Sequence, residues 1–283
     1  MQHIYKRGKD LANEIKTTDM PYGMVAVWHL GQSSVVIKGK AEDGAIVIDP
    51  YLTDSIEQRD PETEFKRAFA PPLSPEELQE ISGVLVTHHH DDHLDSGSLS
   101  RIMKENKEAI VVHPAAHTDL LVDIGDPSQL HPIVASESFN LKSFVITAVA
   151  AAHTNYEKDA EGNDKYLGYF IDVNGVKVFH SGDTVVTDDL IRETKEVNPD
   201  IALLPINGGD YARTKRGIVG NMTFREAADF SVEIGADMLL PIHYDLFPNN
   251  RDNPSYFVDY LFHHYPAQKF HMMVPGERFI YCK

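Results

Sequence analysis

Val84-Leu85-Val86-Thr87-His88-His89-His90-Asp91-Asp92-His93-Leu94-Asp95 is an apolar run that breaks abruptly into imidazoles and carboxylates. A short apolar run bounded this way reads as a buried strand over Val84–Thr87. His88 and His90 are two apart, so in extended chain their side chains point the same way. Asp92 and His93 follow where the chain must turn toward a helix opening at Ser96–Gly97. Imidazole and carboxylate donors packed within six residues suit borderline divalent ions such as Zn²⁺, Mn²⁺ or Fe²⁺. A solvated polar loop is the plain alternative, but it gives no reason for the cluster to sit at the end of an apolar strand.

The cluster alone holds too few donors for two ions, and further candidates stand downstream. His153 ends the apolar run Val145–Ala152. His180-Ser181-Gly182-Asp183-Thr184 ends a strand over 176–180, and His243 ends Met238–Ile242. Singly, each is as readily a structural histidine or a turn aspartate. Their recurrence at the ends of several strands favours one shared site.

Around these motifs the chain alternates short β-rich runs with helical segments. Residues 1–22 form an N-terminal arm whose Ile4, Leu11 and Ile15 lie among charges, the pattern of a short amphipathic helix. It packs on its own core or on a partner subunit. From residue 23 to 283 we expect one domain. Met24–Leu30, Ser33–Lys38 and Ala45–Ile48 read as strands, with turn signals at Gly31, Gly39 and Asp43-Gly44. Ser74 is a candidate N-cap with Pro75 at the first helical position. A helix (about 97–106), a strand (109–112), a helix from Pro114, and strands near 143–151, 166–172 and 176–180 follow. A helix (about 187–196), strand 201–204, a helix capped by Thr223 (about 223–235) and strand 238–241 complete the pattern. Meanders in each half with helices between them argue for sheets with helices packed outside.

Composition narrows the class. A chain of 283 residues with 42% hydrophobic and 24% charged residues can bury a large core without staples. Cys282 is the only cysteine, which excludes an intramolecular disulfide and a cysteine-based metal site and fits a reducing compartment. Met1–Arg7 lacks the apolar core of a signal peptide, and no apolar run approaches the roughly 20 residues that span a bilayer. The expectation is a cytoplasmic protein with no membrane partner. A formal net charge of −17 argues against nucleic acid as a partner, because phosphate backbones demand a basic surface.

The order His88-x-His90-x-Asp92-His93, then His153, Asp183 and His243, resembles the motif series of the metallo-β-lactamase superfamily across most of the chain. The resemblance implies an α/β, four-layer αββα sandwich with two divalent metal ions, Zn or Mn first and Fe as an option, at one edge. It implies that His88, His90 and His153 bind one ion, that Asp92, His93 and His243 bind the other, and that Asp183 bridges them. Ile48-Asp49-Pro50 resembles the family's first motif, where the aspartate orients a ligand imidazole; a plain turn residue is the other reading of Asp49. Within the superfamily the chain looks most like the branch that contains L-ascorbate-6-phosphate lactonase. The matching pieces are His29-Leu30-Gly31, Thr87–Asp95, His180–Asp183, Arg216-Gly217-Ile218, Met222-Thr223 and Pro241–Asp245. Members of that group can lack the histidine corresponding to His153, which this chain has. The resemblance and the arm together suggest a homo-oligomer.

Such a site activates water and needs no protein nucleophile. Asp92 is the candidate to orient that water and pass its proton to the leaving oxygen, or it serves as a ligand only. Hydrolysis of a small anionic ester is expected, a phosphorylated sugar lactone first and a small phosphodiester as the alternative. On the substrate side, the Gly-rich stretch 207–217 carries Tyr211, Arg213, Lys215 and Arg216, and Arg pairs well with phosphate. A solvated basic loop is the ordinary reading. Tyr211 and Tyr244 are also candidates to donate to a developing oxyanion, or else pack at the sheet ends.

Overall fold

The computed structural model describes residues 4–283, so Met1, Gln2 and His3 of the expected arm lie outside the described residues. The helix of the arm is α1 (Gly8–Thr17), which buries Leu11 and Ile15. They pack against Trp28, Leu30 and Val36 of the same chain, and burial of such side chains contributes about 1.5–3 kcal/mol each. Lys38 reaches the other end of the helix, where its Nζ donates to Ile15 O at 2.9 Å and Lys16 O at 2.7 Å. Those are carbonyls that a helix C-terminus leaves without partners. The arm therefore covers its own core.

The strands in chain order are β1 (Met24–Gly31), β2 (Ser34–Lys38), β3 (Ala45–Ile48), β4 (Ile81–Leu85), β5 (Ile110–Pro114), β6 (Leu130–Ile133) and β7 (Ser138–Leu141). They continue with β8 (Phe144–Ala150), β9 (Leu167–Val173), β10 (Val176–His180), β11 (Ile201–Pro205), β12 (Met238–Ile242), β13 (Lys269–Phe270) and β14 (Arg278–Cys282). The remaining helices are α2 (Ser55–Arg59), α3 (Ser96–Glu105), α4 (Asp188–Val197), α5 (Tyr211–Lys215), α6 (Phe224–Glu233) and α7 (Pro254–His264).

Two seven-stranded sheets result, in the orders β14-β1-β2-β3-β4-β5-β6 and β13-β12-β11-β10-β9-β8-β7. In each, antiparallel hairpins at one side give way to parallel pairs at the other. Between the sheets lie Val25, Val35, Ile46 and Leu85 of the first and Ile146, Tyr169, Val178 and Leu203 of the second. The far face of the first sheet packs Ala26, Trp28 and Val84 on Leu11, Leu99 and Ile102 of α1 and α3. The far face of the second packs Phe179, Ala202 and Leu239 on Leu190, Ala227, Phe230 and Phe257 of α4, α6 and α7. The central strands are thus covered on both faces, which is why β2, β3, β4, β11 and β12 read as nearly continuous apolar runs, whereas the edge strands β6, β7 and β14 are partly exposed. The architecture is the expected αββα sandwich.

Several local expectations shift. The strand before the histidines is Ile81–Leu85 and ends early, because Asp49 Oδ1 rather than a neighbouring strand accepts the Thr87 N–H at 2.8 Å. After Pro114 the chain makes only a 3₁₀ turn, Ala115–Leu120, in place of a helix. Ser74 starts a single 3₁₀ turn, Pro75–Glu77, with Glu77 reaching back to the Ser74 N–H at 2.9 Å. Thr223 caps α6 with Glu226 as its reciprocal partner, a capping box. Unanticipated are β6, β7, β13, β14 and the helices α2, α5 and α7; β14 pairs with β1 from the far end of the chain. Among the described residues, no helix is long and apolar enough to cross a membrane.

Candidate metal centre

Asp49, His88, His153, Asp183 and His243 each stand within three residues of the C-terminal end of β3, β4, β8, β10 or β12, so the sheet edges themselves bring the motifs together. Two close approaches need special backbone. Gly182, at φ +61°, has no room for a side chain, since a Cβ there would lie 2.7 Å from Leu167 O and 3.0 Å from Thr87 Cβ. Its bareness lets the Asp183 turn approach the Thr87-His88 segment. At β1, a register shift between His29 and Gly31, followed by Gln32 at φ +59°, re-aims the chain into the site.

The donors fall into two sets of three. His88, His90 and Asp183 form one, Asp92, His93 and His243 the other, and within each set the donor atoms lie within 4.8 Å of one another. Asp183 joins them: its Oδ1 is 3.4 Å from His93 Nε2 and its Oδ2 is 3.2 Å from His243 Nε2. His153 stands beside the first set, with ring centroids 5.0 Å from His90 and 6.0 Å from His88. His180, although in a motif, turns away to the Ser33 carbonyl at 3.0 Å.

Asp49 is fully buried and spends both oxygens on the site's frame. It accepts from the Thr87 N–H at 2.8 Å, the Thr87 Oγ1 at 2.7 Å and His93 Nδ1 at 2.7 Å. Its hold on Nδ1 leaves His93 Nε2 to face the other donors, the usual way a carboxylate sets an imidazole's tautomer. Gln32 was not singled out in the sequence. Its Nε2 donates to Asp92 Oδ2 at 2.9 Å and lies 2.9 Å from His243 Nε2. Asp245 anchors it by accepting the Gln32 N–H at 2.9 Å while bonding His29 Nε2 at 2.7 Å.

Electrostatics separates the sets. Burial holds His88 well below its ordinary pKa, and the neighbouring His93 and His90 add to this. Burial likewise brings His90 down to about 4. In the second set burial pulls the other way from the charges and loses. Asp183, Asp92 and Asp49 raise His93, and Asp183 with Asp92 raises His243 to about 9. Burial would raise Asp92 and Asp183, yet both are held well below the carboxylate range, by His93 and His243 above all.

The donor set fits divalent cations. His93 Nε2, Asp183 Oδ1 and His153 Nδ1 are buried with no hydrogen-bond partner, a costly state for polar atoms that a cation would relieve. Imidazoles and carboxylates are the donors that borderline ions take.

A cavity of about 500 Å³ opens on the donors, lined by His89, His90, Asp92, His153, Asp183 and His243 on one wall and by Arg59, Thr63, Phe65 and Val219 on others. Arg59, at the end of α2, is the one Lys or Arg among its lining residues and pairs with Asp91 at 2.6 Å. The basic loop stands to the side. Gly217 and Val219 rim the cavity, while Tyr211, Arg213, Lys215 and Arg216 do not line it. Arg213 turns inward, to Asp210 at 2.5 Å, Asn207 O at 2.9 Å and Asp252 at 3.3 Å. Tyr211 and Lys215 are exposed, and Arg216 pairs with Glu64 at 3.5 Å. Tyr244 is buried and donates its hydroxyl to Met273 O at 2.6 Å.

Two sheets between helices, with His and Asp donors gathered at the strand ends, define the scaffold of a metallohydrolase. A family described as Beta-lactamase superfamily domain matches residues 45–244, and the chain belongs to it. It is a metal-dependent hydrolase of the metallo-β-lactamase superfamily. Among similar proteins, a UPF0173 metal-dependent hydrolase of Archaeoglobus fulgidus is 29% identical, over 83% of this chain and 89% of its own. A probable L-ascorbate-6-phosphate lactonase of Shigella boydii is 23% identical, over 88% of this chain and 77% of its own. Among solved structures, Igni18, a metallo hydrolase of Ignicoccus hospitalis, shares the fold with a TM-score of 0.66 at 22% identity, over 91% of this chain and 98% of its own.

Proposed function

We propose that the protein hydrolyses a small anionic ester, a phosphorylated sugar lactone in the first instance. The observation that carries this reading is the single guanidinium, Arg59, on the wall of the cavity that opens on the donor sets. A planar guanidinium recognises phosphate or carboxylate by paired hydrogen bonds, and a cavity of about 500 Å³ is of small-ligand size. Similarity to a probable L-ascorbate-6-phosphate lactonase over 88% of the chain supports the same choice. The net charge of −17 disfavours a polymeric nucleic acid.

In this reading His88, His90 and Asp183, with His153 beside them, would hold one ion, and Asp92, His93 and His243 the other; Zn²⁺ and Mn²⁺ suit the donors. Held by these residues, such ions would supply an acidified water and polarise an ester carbonyl. Asp92, whose Oδ2 is aimed by Gln32 Nε2 at 2.9 Å, is the candidate to take a proton from the water and return it to the leaving oxygen. Asp49 keeps His93 in the tautomer that faces inward. Arg59 exchanges Asp91 for the anionic group and so fixes the lactone's orientation.

The test compares sugar-lactone phosphates, the same lactones without phosphate, and small phosphodiesters at equal metal loading. Opening of phosphorylated lactones in preference to the others is expected, and failure to open any of the panel would sink the proposal. Arg59→Gln should raise KM for the phosphorylated lactone about tenfold, the loss of one charge-assisted contact at a partly solvated site. Its kcat and its kinetics on the unphosphorylated lactone should stay within about twofold.

A further inference from the structure

We infer that Gln32 is the positioning residue of the second donor set, holding Asp92 and His243 in place for a second cation. The backbone around it is unusual. Gln32 and His243 are both non-glycine residues with positive φ, +59° and +58°, a conformation that side chains disfavour and that surrounding structure must enforce. The two are joined, His243 N–H donating to Gln32 O at 2.9 Å. Asp245 fixes the other side of Gln32 by accepting its N–H at 2.9 Å. A residue locked at both backbone polar groups presents its side chain in one direction.

That direction is into the second set. The buried carboxamide donates through Nε2 to Asp92 Oδ2 at 2.9 Å. The same atom lies 2.9 Å from His243 Nε2 and 3.3 Å from His243 Nδ1. In the plane of the ring, a point that close to both nitrogens would overlap the Cε1–H between them. The amide therefore stands over the ring face, in contact with it. The in-plane Nε2–H is left to donate to Asp183 Oδ2, 3.2 Å away. One side chain thus aims a carboxylate and braces an imidazole, and each of its side-chain bonds goes to the second set. Groups that orient metal ligands without binding the metal typically hold tenfold to a hundredfold of affinity.

The inference rests on the metal dependence of the family and is independent of the lactone reading. Metal content after dialysis and stepwise affinities by titration calorimetry would be measured for the whole chain and for Gln32→Asn and Gln32→Leu. Asparagine tolerates the left-handed backbone but is one methylene too short to reach Asp92, so Gln32→Asn keeps the fold while withdrawing the contacts. Both variants should lose second-ion affinity at least tenfold and keep the first within about threefold, with thermal melts of the metal-free proteins checking the fold. Second-ion affinity of Gln32→Asn within twofold of the unaltered protein overturns the inference. So does equal loss of both ions, or a single ion bound by the unaltered chain. Lactone hydrolysis by the unaltered enzyme, assayed in parallel, tests the other proposal separately.

Discussion

Asp183 belongs to the first donor set and lies against His93 and His243 of the second, yet the surroundings of the two sets differ. His88 and His90 sit among other imidazoles, and burial holds both below their ordinary pKa. His93 and His243 face Asp92, Asp183 and Asp49, whose charge overcomes the same burial and favours imidazolium. The first set is ready to receive a cation as it stands. The second balances its carboxylates with protons until a cation replaces them. The lesson is that ligand type alone does not fix how a site loads; the charge facing each ligand does.

The harshest way to break the comparison is to remove what the sets share. Asp183→Asn should cost both ions and lower hydrolysis by about a thousandfold or more, since metal stabilisation of the transition state is worth several kcal/mol. Steady-state kinetics with metal analysis checks this, and retention of either ion at full affinity would count against a shared role. Asp49→Asn is the more selective cut, because Asp49 bonds His93 directly and reaches the first set's His88 only through Thr87 Oγ1. We expect second-ion affinity to fall about tenfold to a hundredfold and the first to change far less. Calorimetry resolves the two steps, and equal losses would remove the distinction.

The contrast is sharpest in pH. His243, with its pKa at about 9, carries a proton at pH 7 when no cation is bound, so loading the second set must expel it. Affinity there should rise about tenfold per pH unit per proton expelled between pH 6 and 9, then level off. His90, at about 4, has no proton to lose in that window, so the first step should stay nearly flat. Titrations in buffers of differing ionisation enthalpy would count the protons released at each step. A first step as steep as the second would show the electrostatic contrast to be false.

Legibility followed the range of the interactions. The histidine cluster could be read because strand period and ligand chemistry are local, and the cap at Thr223 because its partner Glu226 is three residues away. Gln32 was not legible: it looks like one polar residue in a turn, and its partners are 60 and 211 residues distant. The basic loop misdirected attention for the same reason. Nothing local says that Arg213 turns inward to Asn207 and Asp252, or that Arg59, outside any motif, lines the cavity. β14 escaped notice because its pairing with β1 spans almost the whole chain.

By itself, then, the sequence determined the donor types, their order at the strand ends and the presence of sheets with helices outside, because apolar period and ligand spacing are written along the chain; the four-layer sandwich was what the family resemblance implied. The resemblance already divided the donors between two sites; only the tertiary structure put Asp183 rather than His153 within 4.8 Å of His88 and His90 and decided the contrasting charge around the two sets. It also decided the bracing by Gln32 and Asp49 and the cation on the cavity wall. Those depend on which groups lie within a few ångströms across sheets and loops, a distance that spacing along the chain does not encode.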